Sequence, residues 1–149
     1  MRTTRILTAL LVLQLNFNAT ADVPGIKDGD MLRQALAGRV QAISTETLRE
    51  EIERNPKLVL IDIRTPAEVE RMGGAIQASQ NVNIPRGWLE FRVTEHARKP
   101  DTPIVVYCGA DFRSPLAAAT LQDMGYTNVR YYQDGFIGWR RQGLPVESP

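Results

Sequence analysis

The chain has 149 residues, 43% of them hydrophobic, and its 18 Lys and Arg against 17 Asp and Glu give a formal charge of +1. That length buries one ordinary core without staples, and with no basic stripe apparent nucleic acid is excluded as an expected partner. A single cysteine rules out an internal disulfide, and with a single histidine it leaves no cluster suited to metal ligation.

Residues 1–21 carry Arg2 and Arg5, an apolar stretch from Ile6 to Leu15, and then Ala19-Thr20-Ala21. A basic start, a short apolar run and an A-x-A site have the layout of a secretory signal peptide. The run is too short to span a bilayer. The mature chain is therefore expected to begin at Asp22, to be periplasmic or otherwise secreted, and to lie free of the membrane. Without Arg2 and Arg5 the formal charge becomes −1.

Residues 22–38 read as an N-terminal extension with one short amphipathic helix, capped by Asp30 and carrying Met31, Leu32, Ala35 and Leu36 at helical spacing. A strand is expected over Arg39–Ile43, and a polar helix over Thr45–Arg54 that ends at Asn55-Pro56. Lys57–Ile63 holds the continuous apolar run Leu58-Val59-Leu60-Ile61, typical of a strand buried on both faces. Thr65-Pro66-Ala67-Glu68 is a capping box with proline at the first helical position, and Gly73-Gly74 stops the helix it starts. A short strand over Asn81–Ile84 and a helix over Trp88–Arg98 follow. Pro103–Tyr107 is another buried strand, Ser114-Pro115 opens a helix that stops at Gly125, and Asn128–Tyr132 is a last strand before a helix or turn over Gly135–Gln142. Strands alternating with helices imply an α/β fold: a mostly parallel central sheet with helices on both faces.

The most informative segment is Cys108-Gly109-Ala110-Asp111-Phe112-Arg113-Ser114-Pro115, which joins an apolar strand to a helix start. A thiol there meets unpaired backbone N–H groups and the positive end of a helix dipole, which favour the thiolate and hold an anion. In parallel sheets ligands bind beyond the carboxyl ends of the strands, where Cys108 and Arg64 both fall. Four residues separate Cys108 from Arg113. Cysteine phosphatases use a similar loop one residue longer, so this smaller cradle suits a thiol carrying an extra sulfur atom better than a tetrahedral phosphate. His96, in a charged helical stretch, reads as a surface residue, and with no other histidine to serve Cys108 a Cys-His hydrolase is disfavoured. Trp88 and Trp139 read as core or rim packing.

From about Gln41 to Glu147 the chain resembles the single-domain rhodaneses, the thiosulfate sulfurtransferases. Leu60-Ile61-Asp62-Ile63-Arg64-Thr65-Pro66-Ala67-Glu68 is similar to the family's Asp-Val-Arg segment, and Asn83-Ile84-Pro85 to its Asn-Ile-Pro segment. Ile104-Val105-Val106-Tyr107-Cys108 with the loop to Arg113-Ser114 resembles its active-site loop, and Gly125-Tyr126-Thr127-Asn128-Val129 with Gly135-Phe136-Ile137-Gly138-Trp139 its C-terminal signature. The resemblance implies a rhodanese-like domain over residues 39–149. It implies that Cys108 is catalytic, takes a sulfane sulfur from a small sulfur-containing anion as a persulfide, and passes it to cyanide, a thiol or a protein sulfur acceptor. No cofactor is needed for that chemistry. Backbone N–H groups of Gly109, Ala110, Asp111, Phe112 and Arg113 are expected to bind the donor, with the Arg113 guanidinium helping. Asp62, Arg64, Arg86 and Ser114 are supporting candidates, the first two as an ion pair bracing the loops.

Two departures from the family pattern stand out. Gly73-Gly74-Ala75-Ile76 replaces the Gly-His-Ile common in members, and Asp111 stands where a frequent form of the loop has glycine. Aspartate tolerates a left-handed backbone, but its charge is expected to oppose a dianionic donor. Phe112 adds an apolar surface at the mouth. A second reading is therefore a sulfur-carrier or partner-binding module with little turnover on free thiosulfate.

Overall fold

The computed structural model describes residues 25–149, so the expected signal peptide lies outside the described residues. Within them five strands form one all-parallel sheet: β1 (Gln41–Ile43), β2 (Val59–Asp62), β4 (Asn81–Asn83), β5 (Ile104–Tyr107) and β6 (Val129–Tyr132). The order across the sheet is β1-β6-β5-β2-β4, with Leu60 opposite both Val105 and Asn81. β5, the strand that delivers Cys108, is thus central, and β2 and β5 are buried at every position. That is the physical outcome of their unbroken apolar runs, since helices cover both faces.

Alternation along the strands divides the interior in two. Val59, Ile61, Ile104, Val106 and Cys108 pack toward α4 (Leu89–His96) and α5 (Ser114–Asp123). Leu60, Val105 and Tyr107 pack the other way, with Leu48 of α2 (Thr45–Arg54) and Phe136 and Trp139 of α6 (Gly135–Arg141). The remaining helices are α1 (Gly29–Gln34) and α3 (Pro66–Arg71), both without a buried residue. α3 begins on the expected capping box: Glu68 N–H donates to Thr65 Oγ1, and Thr65 N–H donates to Glu68 Oε2.

Several expectations are corrected. The cap of α1 is Asp28, whose Oδ1 accepts the Met31 N–H at 2.8 Å, whereas Asp30 lies in the first turn. β1 is shorter than Arg39–Ile43, and α4 begins only after a 3-10 turn over Arg86–Trp88. Two short strands escape the sequence patterns: β3 (Ala75–Ile76) and β7 (Val146–Glu147) pair antiparallel as a separate ribbon. Two residues are too few for a period, and their pairing depends on Gly74, at φ +117, where any side chain would collide with the Glu147 carbonyl. Trp139 is buried and donates to the Pro145 carbonyl, whereas Trp88 is exposed with its ring edge-on to Phe91.

Candidate active site

Cys108 follows directly on β5 and is only 1% exposed. Its carbonyl accepts the Phe136 N–H at 2.9 Å and the Gly109 carbonyl accepts that of Ile137 at 3.0 Å, so the first turn of α6 is fastened to the start of the loop. Gly135 makes this approach possible. It stands at φ +59, and a Cβ there would lie 2.7 Å from the Gly109 oxygen and 2.9 Å from that of Cys108.

From Gly109 to Arg113 none of the backbone N–H groups donates to a protein acceptor among the described residues. Successive amides left free in this way are available to an acceptor from outside the protein. They lie in sequence between Cys108 and the N-terminus of α5, whose dipole adds positive potential. Ser114 at that terminus is fully buried, its Oγ 3.7 Å from Cys108 Sγ. As the atoms stand the thiol donates; once the sulfur is a thiolate the hydroxyl can turn and donate to it instead.

Asp62 and Arg64 form the expected brace, both fully buried. Arg64 Nε donates to Asp62 Oδ1 at 2.9 Å and Nη2 to Oδ2 at 2.5 Å, and Nη2 also reaches the Gly74 carbonyl at 2.9 Å. The Arg64 backbone N–H closes back on Asp62 Oδ1. A buried ion pair needs such full satisfaction to offset its desolvation. Met72 links this brace to the loop, with Sδ 3.6 Å from Arg64 Nη1 and its methyl against Gly109.

Arg113, expected to help hold a donor, is paired within the protein. Its guanidinium makes a two-pronged bond to Glu68, at 2.7 and 3.1 Å, tying the loop to α3. That bond, helped by the Thr65 N–H, holds the Glu68 carboxyl down at about 2, and it raises Arg113 further, with the nearby Cys108 adding to the rise. Arg86 is tied between α4 and α5 through Glu90 and Thr120 Oγ1. His96 is exposed on α4, away from β5.

Asp111 adopts φ +59, the one non-glycine positive φ among the described residues. Its charge does not stand alone: Arg33 of α1 places Nη1 4.0 Å from Oδ2. Burial pushes the Asp111 carboxyl up from its ordinary value, against the pull of Arg33 and Ser114. Phe112 is 65% exposed at the loop's crest.

Sequence reasoning singled out Cys108, the loop, Asp62, Arg64 and Ser114, which the structure brings together. It missed Glu68 as the partner of Arg113, Met72 and Phe136 as the supports beneath the loop, and Arg33. Glu68 was noticed only for its capping role, and nothing in spacing alone joins residue 33 to residue 111.

A family model described as the rhodanese-like domain matches residues 44–142. The chain belongs to the rhodanese-like family. It is 34% identical over 110 residues to a sulfurtransferase of Allochromatium vinosum, covering 74% of this chain and 97% of that one. Among solved structures it resembles a polysulfide-sulfur transferase homodimer from Wolinella succinogenes, with TM-score 0.69 and 27% identity over 79% of this chain and 85% of that one. A Rhodopseudomonas palustris protein of unknown function, described as a possible tyrosine phosphatase, gives TM-score 0.69 and 30% identity over 81% and 95% of the two chains. Rhodanese fold and sulfurtransferase relatives together support sulfur transfer as the general chemistry.

Proposed function

We propose that the protein moves a sulfane sulfur from a donor such as thiosulfate to a thiophilic acceptor through a persulfide on Cys108. The observation that carries this reading is the set of unpartnered amides from Gly109 to Arg113 in the loop that begins at the buried Cys108, at the end of β5. The Cys108 thiolate attacks the outer sulfur of thiosulfate. A new S–S bond forms, the donor's S–S bond breaks with its electron pair, and sulfite leaves. Cyanide or a thiolate then attacks the outer sulfur of the persulfide, giving thiocyanate or a new persulfide and restoring the Cys108 thiolate. At both steps negative charge builds on sulfur beside the loop's amides, where preorganised donors stabilise it without reorganisation. Arg113, held by Glu68, contributes charge and fixes the loop. Because Cys108 is the only cysteine, intact-mass measurement is decisive. One sulfur atom is gained with thiosulfate and lost with cyanide, and neither change occurs in Cys108→Ser; a serine variant that still turned over would sink the assignment.

The exposed Phe112 favours a second reading, a carrier that receives sulfur from a protein partner and delivers it with little turnover on free thiosulfate. Loading by a persulfide donor to one equivalent, with negligible steady-state thiosulfate turnover, separates it from the first.

Residues 1–21 support export as a further part of the proposal. N-terminal sequencing of the extracytoplasmic protein should begin at Asp22, whereas a cytosolic protein retaining Met1 would overturn it.

A further inference from the structure

We propose that Arg33, from a helix outside the family-matched segment, is a specificity-determining residue of the Cys108 loop: by cancelling the charge of Asp111 it lets the loop admit an anion. The inference rests on Cys108 being the reacting sulfur.

Asp111 is the loop residue whose charge works against an anionic donor. It lines, with Ala110, Gln133, Asp134 and Arg141, an open cavity of about 390 Å³ beside the loop. Asp134 adds a second carboxylate there, and Arg141 is exposed and without an ion-pair partner among the described residues. Arg33 lines a second cavity, of 230 Å³, with Pro115 and Tyr131 at the start of α5 and on β6. The Tyr131 hydroxyl is pushed up by burial and then by the charge of Asp111, while Arg33 acts against that shift. Three groups from three elements thus share one electrostatic environment.

The pairing is incomplete. Nη1 and Oδ2 are 4.0 Å apart, and both Asp111 Oδ1 and Arg33 Nε are buried without a hydrogen-bond partner. Asp30 competes for the same guanidinium at 3.6 Å. α1 has six residues, none of them buried, and it packs on α5, to which Arg39 beyond its end is also tied through Asp123. The net charge presented by the loop therefore depends on whether α1 is docked.

Alkylation of Cys108 in the full chain tests this without requiring sulfur transfer. Iodoacetate is an anion and iodoacetamide its neutral counterpart, so the ratio of their rates reads the potential at the sulfur. Arg33→Gln should lower that ratio roughly three- to tenfold at low salt, with the iodoacetamide rate unchanged, and added salt should shrink the effect. Arg33→Lys should restore the ratio. Asp111→Asn alone should raise the ratio above the wild type, and adding Arg33→Gln should bring it back close to the wild-type value, as removal of two mutually cancelling charges requires. An unchanged ratio in Arg33→Gln, or a double variant whose ratio stays as low as that of Arg33→Gln, overturns the proposal. So does an equal slowing by both reagents, which would mean that α1 only supports the fold. Loss of sulfur loading with the ratio behaving as expected would instead refute the sulfur-transfer reading alone.

Discussion

Arg64 stacks its guanidinium 4.0 Å from the centre of the Phe136 ring while that residue's backbone N–H is bonded to the Cys108 carbonyl. One cation thus supports Cys108 through a ring and a single peptide. The ion pair with Asp62 and the bond to Gly74 hold the cation in the plane this stacking needs.

Breaking that brace from one side should be severe. Arg64→Met leaves the Asp62 carboxylate buried without its partner and should cost about 3–5 kcal/mol. Asp62→Asn combined with Arg64→Met should be less destabilised than the two single changes added together. Urea unfolding of the four proteins checks both statements.

Glu68 makes the loop's attachment sensitive to acid. Its carboxyl titrates at about 2 in the fold against an ordinary 4.5, chiefly because Arg113 donates to it. A depressed carboxyl stabilises fully above its unfolded value and loses that contribution as pH falls through the folded one. Glu68→Gln should therefore be less stable than the wild type by up to about 1 kcal/mol at pH 7, the pair being partly exposed. The difference should vanish between about pH 4.5 and 2, as read from unfolding midpoints across that range.

Ser114→Ala removes the hydroxyl beside Cys108 Sγ without disturbing the first turn of α5. A hydrogen bond to a charged group contributes about 1.5–3 kcal/mol, so sulfur loading at pH 7 should slow about tenfold or more. Single-turnover rates followed by mass would show it, and an unchanged rate would confine Ser114 to packing.

Gly135→Ala tests the closeness of α6 to the loop. A left-handed backbone alone costs about 1–3 kcal/mol for a residue with a side chain. Gly143 provides the control, since it has φ +66 but open space around it. Both alanine variants should lose stability, and only Gly135→Ala, which drives into the Cys108 and Gly109 carbonyls, should also lose sulfur loading.

The sheet was legible because burial on both faces writes itself into β2 and β5 as uninterrupted apolar runs. The strand-to-helix position of Cys108 followed from that and from Ser114-Pro115. What remained hidden were relations across the sheet's carboxyl edge. The Glu68–Arg113 pair spans 45 residues and the Arg33 contact 78, and charged residues carry no periodicity to announce their partners. The β3–β7 ribbon was hidden for the same reason, being set by close approach at Gly74 rather than by composition.

The near-complete enclosure of Cys108 has a consequence for traffic at the site. A sulfur with 1% exposure is beyond the reach of bulky oxidants and large disulfides. In the proposed persulfide, a second sulfur atom bonded at about 2 Å would lengthen the side chain beyond that enclosure. An acceptor then has to meet only the outer atom, so the protein would display its cargo while keeping its own thiol out of sight, a useful asymmetry wherever stray thiols are readily oxidised.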